Sequence, residues 1–88
     1  MNNQKIKPES SPGKFINVGY GNMVATDKIA AIINPEPAPI KRLIHEAREG
    51  GRIVDATHGR KTRAVIFTNT NYIILSSLQP ETISQRTN

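Results

Sequence analysis

Ala64-Val65-Ile66-Phe67-Thr68-Asn69-Thr70-Asn71-Tyr72-Ile73-Ile74-Leu75 is the stretch whose reading decides the fold. Two apolar, β-branched runs flank an Asn-Thr-Asn connection, and Asn tolerates the positive φ of a tight hairpin turn. Neither run alternates apolar with polar residues, so both faces of these strands are expected to be covered. One helix in a chain of 88 residues covers one face well. A second sheet of the same chain and a second subunit both satisfy the other.

Just upstream lies Ala56-Thr57-His58-Gly59-Arg60-Lys61-Thr62-Arg63, with three of the chain's 12 Lys and Arg and no acid. It stands between Ile53-Val54 and Ala64-Val65-Ile66-Phe67, which makes it a loop held by strands, the first of them Arg52 to Ala56. Cations on such a loop can meet a polyanion without being buried. An ordinary solvated loop has the same composition, so the rest of the chain has to decide.

Before that strand, Asn34-Pro35-Glu36-Pro37-Ala38-Pro39 stops any β-ladder, because proline donates no backbone hydrogen bond. Pro39 suits the first position of a helix. Ile40, Leu43, Ile44 and Ala47 then fall at i, i+3, i+4 and i+7, one apolar stripe. Arg42 with Glu46 and His45 with Glu49 are four apart and can pair weakly. Gly50-Gly51 supplies a left-handed stop. The polar face is read as solvated rather than as a recognition helix, since its two glutamates oppose close approach to phosphates.

Towards the N-terminus, Lys14 to Tyr20 looks like a strand in which Ile16, Val18 and Tyr20 share one face. Gly19-Tyr20-Gly21-Asn22 marks a turn or a bulge. A glycine-rich phosphate cradle is the sharper reading of that tetrapeptide, but the lysine and hydroxyl that complete a P-loop are absent. Met23-Val24-Ala25 and Ile29-Ala30-Ala31-Ile32-Ile33 form one interrupted strand or two short ones. Thr26-Asp27-Lys28 between them is exposed, with Lys28 a second possible anion contact. Residues 1–13 are polar and are expected to be a flexible N-terminal arm. Residues 14–83 make a single domain. Pro80 to Arg86 can form a last helical turn, and residues 84–88 are the C-terminal tail.

Composition narrows the function. The formal charge is +5, the chain has no cysteine, and it has two histidines with no metal-ligand spacing around them. An anionic partner, nucleic acid or membrane, is favoured. No cofactor or metal is expected. No signal peptide and no membrane-length apolar run is visible, so a soluble, cytoplasmic protein is the simplest expectation. An enzyme would have to use Asp55, His58 and Thr57 or Thr62. Ser76 and Ser77 lie in no nucleophile motif, and so small a domain offers no obvious deep pocket for a small-molecule substrate. A non-enzyme follows.

Between Lys41 and Arg63 there are seven Lys or Arg and three Asp or Glu. The chain has only four aromatics, none inside the basic loop. That disfavours stacking on unpaired bases and favours duplex DNA held by its backbone. A few phosphate contacts bind weakly at physiological salt, in the range of about 10⁻⁴ to 10⁻⁶ M. Several copies on one assembly raise avidity by about 10² to 10⁴. A homo-oligomer therefore suits both the apolar strands and the basic loop.

Four strings in this order resemble the RemA family, the extracellular matrix regulatory proteins of bacteria. They are Lys14-Phe15-Ile16-Asn17-Val18-Gly19-Tyr20-Gly21-Asn22-Met23-Val24, Ala38-Pro39-Ile40-Lys41-Arg42, Val54 to Val65, and Leu75-Ser76-Ser77 with Gln79-Pro80-Glu81-Thr82. The resemblance implies a DNA-binding transcriptional regulator associated with matrix and biofilm genes. It also implies a fold similar to the LytTR DNA-binding domain and a ring-shaped homo-oligomer around which DNA bends. The family's DNA-contacting arginines in a Gly-Arg-Arg-Thr-Arg string fall on Arg60 and Lys61, and a further basic position falls on Lys28. Lysine at the last two keeps the charge and loses the bidentate fork, so the resemblance supports phosphate contact there rather than base reading.

The expectation is thus an α+β domain with a small antiparallel sheet and one main helix, LytTR-like, assembling into a ring. Arg60, Lys61, Arg63 and Lys28 are the expected DNA contacts. Two other classes compete, a structural ring that binds another protein and an RNA-binding module.

Overall fold

In the computed structural model, which describes residues 14–85, the hairpin forms at the centre of a four-stranded sheet. The elements in order are β1 (Phe15–Gly19), β2 (Asn22–Ala25), a short 3-10 turn (Thr26–Lys28), β3 (Ile29–Ile33), α1 (Ala38–Glu49), β4 (Ile53–Asp55), β5 (Ala64–Thr68), β6 (Ile73–Ser76) and α2 (Pro80–Gln85). The main sheet has the order β3-β5-β6-β4, and β1 pairs with β2 in a separate two-stranded sheet.

The main sheet is mixed, which corrects the expectation of an all-antiparallel one. β5 is antiparallel to both β3 and β6, whereas β4 lies parallel to β6 with Ile53 opposite Ile73 and Asp55 opposite Leu75. The helix is the cause. It carries the chain back across one face, so β4 runs in the direction of β3, and the β5–β6 hairpin then fills the space between them.

Both faces of the hairpin strands are covered by this chain. Val65, Phe67, Ile73 and Leu75 turn towards α1 and pack with Ile40, Ile44, Ala47 and Ile53. Ala64, Ile66 and Ile74 turn the other way, onto Ile16 and Val18 of β1, Val24 of β2 and Ile83 of α2. Of the two coverings the sequence allows, the second sheet of the same chain is the one formed. No subunit is needed to bury these strands. Ile16, Ile66 and Ile83 are almost fully buried, each stabilising the fold by about 1.5–3 kcal/mol.

The helix begins as expected, with Pro39 in its first turn and the Pro37 carbonyl accepting from the Ile40 and Lys41 amides. It ends in a Schellman arrangement. Arg52 N donates to Ala47 O at 2.8 Å, Gly51 N donates to Arg48 O at 3.2 Å, and Gly51 has φ 71°. Leu43 departs from the predicted stripe and is 44% exposed. At 3.6 residues per turn it lies roughly 65° round from the mean of Ile40, Ile44 and Ala47, beyond the edge of the sheet contact. His45 and Glu49 pair at 3.5 Å. Arg42 and Glu46 form no pair among the described residues. Lys41 instead meets Glu36 at 3.9 Å.

Of the two readings of Met23 to Ile33, the structure adopts two short strands, in different sheets and joined by the 3-10 turn. The turn expected at Gly19-Tyr20-Gly21-Asn22 forms, and Tyr20, with φ 54°, belongs to it rather than to the inward face given by alternation. α2 forms within the expected Pro80 to Arg86. The expected arm at residues 1–13 lies outside the described residues.

Candidate functional site

The basic loop leaves edge strand β4, passes the end of β6 and joins β5 on its far side. It spans two strand spacings, roughly 9–10 Å. Its ends are fixed by backbone bonds, Ala56 N to Leu75 O at 2.9 Å and Arg63 N to Ser76 O at 2.8 Å. Asp55 secures the first bend, its Oδ1 accepting from Thr57 N at 2.9 Å and from Thr57 Oγ1 at 2.6 Å. Thr57 is 2% exposed, so this bend is anchored in the core.

These bonds settle the role of Asp55. It is a turn acceptor, and among the described residues it forms no ion pair with Arg52 or Arg60. The Thr57 hydroxyl, then the Thr57 amide, and more weakly the Arg48 charge hold its carboxyl below the usual carboxylate range. Arg52 instead points its guanidinium at the Asn71 and Glu46 carbonyls. The Asp55–His58 couple that an acid/base enzyme would use is not assembled, because His58 lies against Tyr20.

That contact is between two turns of one design. In β1–β2, Gly19 stands opposite Asn22 across Tyr20-Gly21, with φ 54° and 78°. In the basic loop, Arg60 N donates to Thr57 O at 3.0 Å across His58-Gly59, with φ 56° and 79°. Two consecutive positive φ values mark a type I′ turn. Each turn puts a planar ring, Tyr20 or His58, at its first central position. The two rings stack with centroids 4.7 Å apart and planes 20° from parallel.

Beside the stack is an open depression of about 330 Å³, lined by Tyr20, Arg60, Lys61, Arg63, Ser77 and Leu78. A smaller one of about 130 Å³ adjoins it and shares Lys61 and Arg63. Glu36 lines the smaller one, but it pairs with Lys41. Among the described residues, the head groups of Arg60, Lys61 and Arg63 form no ion pair, and all three residues are exposed. The fold therefore gathers three of the four predicted contacts on one end of the sheet.

Lys28 is not with them. It precedes β3, whose five residues span roughly 16 Å, and the basic loop lies beyond the other end of that strand. The Lys28 carbonyl accepts from Asn69 N at 3.0 Å, next to the hairpin turn.

Four residues of this region are not singled out as site residues by the sequence alone. Alternation assigns Tyr20 to a strand, Leu78 belongs to the chain leaving the sheet, and Ser77 lacks a nucleophile motif. Ser76 is an anchor, its buried hydroxyl donating to Val18 O at 2.8 Å and accepting from Leu78 N at 3.0 Å. The Tyr-Gly dipeptide between Gly19 and Asn22 is the available signal for Tyr20, since Gly flanking an aromatic favours a turn over a continued strand. Among the described residues there is no cluster of metal-ligand side chains and no helix long and apolar enough to cross a membrane.

Comparison with known proteins places this geometry in context. The family profile described as RemA-like, extracellular matrix regulatory protein A-like, matches residues 15–87. The chain is similar to a protein of Geobacillus thermodenitrificans (strain NG80-2), 62% identical over 73 residues, covering 83% of this chain and 84% of the relative. A Thermosipho melanesiensis protein is 59% identical over 72 residues, 82% of this chain and 77% of the relative. One from Acetivibrio thermocellus is 59% identical over 75 residues, 85% and 81% respectively. All three are named, provisionally, as regulatory proteins.

Proposed function

This chain belongs to the RemA-like family, and we propose that it is a cytoplasmic transcriptional regulator that binds duplex DNA through its basic loop. The observation that carries the reading is the set of three exposed cations, Arg60, Lys61 and Arg63, on one end of the sheet, none of them in an ion pair among the described residues. Phosphate contacts from such groups give affinity without cofactor or covalent chemistry. The regulatory names of the relatives agree with a non-enzymatic role.

The loop acts as one of several copies. Three contacts are too few for a stable complex at physiological salt, and a ring-shaped homo-oligomer with a LytTR-like protomer would present them repeatedly along bent DNA. Since the hairpin strands are buried within one chain, support for assembly comes from this avidity argument and from the family rather than from uncovered strands. Lys28, at the far end of the protomer, would serve as a separate phosphate contact. Genes for extracellular matrix are the targets the family description suggests, and biofilm genes those that the resemblance implies.

Arg60→Ala tests the assignment. In mobility-shift titrations it should weaken duplex binding several-fold or more and flatten the log–log salt dependence by about 0.9 for each phosphate that Arg60 neutralises. The mass of the native assembly should not change. Unaltered affinity would remove Arg60 from the interface. A partner bound without salt dependence would favour the protein-binding ring, and preference for single-stranded RNA over duplex DNA would favour the RNA module.

A further inference from the structure

We propose that the depression beside Tyr20 receives one nucleobase displaced from its stack, laid against the Tyr20 ring while Arg60, Lys61 and Arg63 hold the adjoining phosphates. This rests on the nucleic-acid reading above and goes beyond it, because it assigns the ring a base rather than a phosphate.

Three observations carry the proposal. The first is the placement of Tyr20. With one side stacked on His58, it is still 51% exposed. Tyr20 lines the depression and His58 does not. The absence of an aromatic from the basic loop argues against base stacking; the tertiary fold supplies one from β1–β2.

The second is backbone conformation. Tyr20 and His58 are both non-glycine residues in the left-handed region, which side chains with a Cβ adopt rarely, and such a conformation points to a function for the ring's position.

The third is the composition and rigidity of the walls. An aromatic face beside a cationic groove is the combination that holds unstacked bases, the ring taking the base and the cations its phosphates. The opening of about 330 Å³ is at the small end of ligand sites, of about 300–1,000 Å³. Ser77 offers a hydroxyl to a base edge and Leu78 an apolar surface. A Cβ built on Gly19 would meet both at 3.7 Å, so this wall lies against the turn that carries Tyr20. Ser76 fixes the Leu78 amide from below. A base becomes available where bending unstacks a flexible step, so the pocket would act at a kink.

The test compares two duplexes of one sequence, one intact and one with a single bulged adenosine. The wild-type assembly should bind the bulged duplex about 5- to 100-fold more tightly, the range that one base–aromatic stack supplies. With 2-aminopurine at the bulge, binding should quench its fluorescence. Tyr20→Phe should keep the preference and the quenching. Tyr20→Ala should abolish both, so that the two duplexes bind alike. If the alanine variant fails to fold, Tyr20→Asn takes its place, since Asn tolerates this φ. Equal wild-type affinity for both duplexes, or a preference that survives loss of the ring, would overturn the base pocket alone. Failure to bind either duplex would instead overturn the nucleic-acid reading beneath it.

Discussion

Ser76→Ala should cost the fold about 2–4 kcal/mol, far more than an ordinary serine change. The Ser76 side chain is wholly buried at the end of β6. Its hydroxyl donates to Val18 O at 2.8 Å and accepts from Leu78 N at 3.0 Å. The substitution removes one oxygen and leaves almost no cavity, so loss of packing contributes little. Two polar groups lose a partner instead. Val18 is fully buried, and stranding its carbonyl costs about 1–3 kcal/mol; the half-buried Leu78 amide adds about 0.5–1.5 kcal/mol. Against a typical total of about 5–15 kcal/mol this is a large fraction. Urea unfolding at fixed protomer concentration measures it, because an assembling protein gains stability with concentration. The midpoint should fall with the slope unchanged. Hydrogen exchange should show the β1–β2 amides opening first, since this bond ties that sheet to β6. Ser76→Cys, with similar volume and a weaker donor, should fall between wild type and alanine. A loss below about 0.5 kcal/mol for Ser76→Ala would show that water or a relaxed backbone satisfies both groups, and the reasoning would fail.

The other structural predictions concern the turns. In the folded state the Asp55 carboxyl titrates below the ordinary aspartate range, held there mainly by the Thr57 hydroxyl. A depressed carboxylate stabilises the fold above its unfolded pKa, and this contribution disappears as pH falls through the folded value. Asp55→Asn should therefore flatten the acid limb of a stability–pH curve below about pH 4, as thermal melts across pH would record. A limb of unchanged shape would remove Asp55 as its source. Gly51→Ala should lower stability by about 1 kcal/mol, because φ 71° strains an L-residue although the added Cβ meets nothing within 4 Å. No loss in chemical denaturation would mean that the helix end rearranges.

Much of the protein is legible in the sequence because the relevant forces act over a few residues. The Asn-Thr-Asn turn, the proline start and Gly-Gly stop of α1, and the packing stripe through Ile40, Ile44 and Ala47 follow from backbone preference and helical period. The charge on Arg60, Lys61 and Arg63 is equally plain. The Asp55 bend is local too, since its partner Thr57 is two residues on.

Only the tertiary structure decided which sheet covers the second face of β5 and β6, and that β4 lies parallel to β6. Strand order depends on contacts between distant residues, and no local pattern encodes it. The same fact accounts for the site. Periodicity turns Tyr20 inward, but the glycines on either side of it allow a tight left-handed turn, and that turn carries the ring across to His58 in a loop 38 positions later. Lys28 and Arg60 share a charge, yet a whole strand length separates the two ends of the sheet on which they stand. Composition supplied the basic groups; chain topology determined which of them share a surface and which aromatic ring stands beside them.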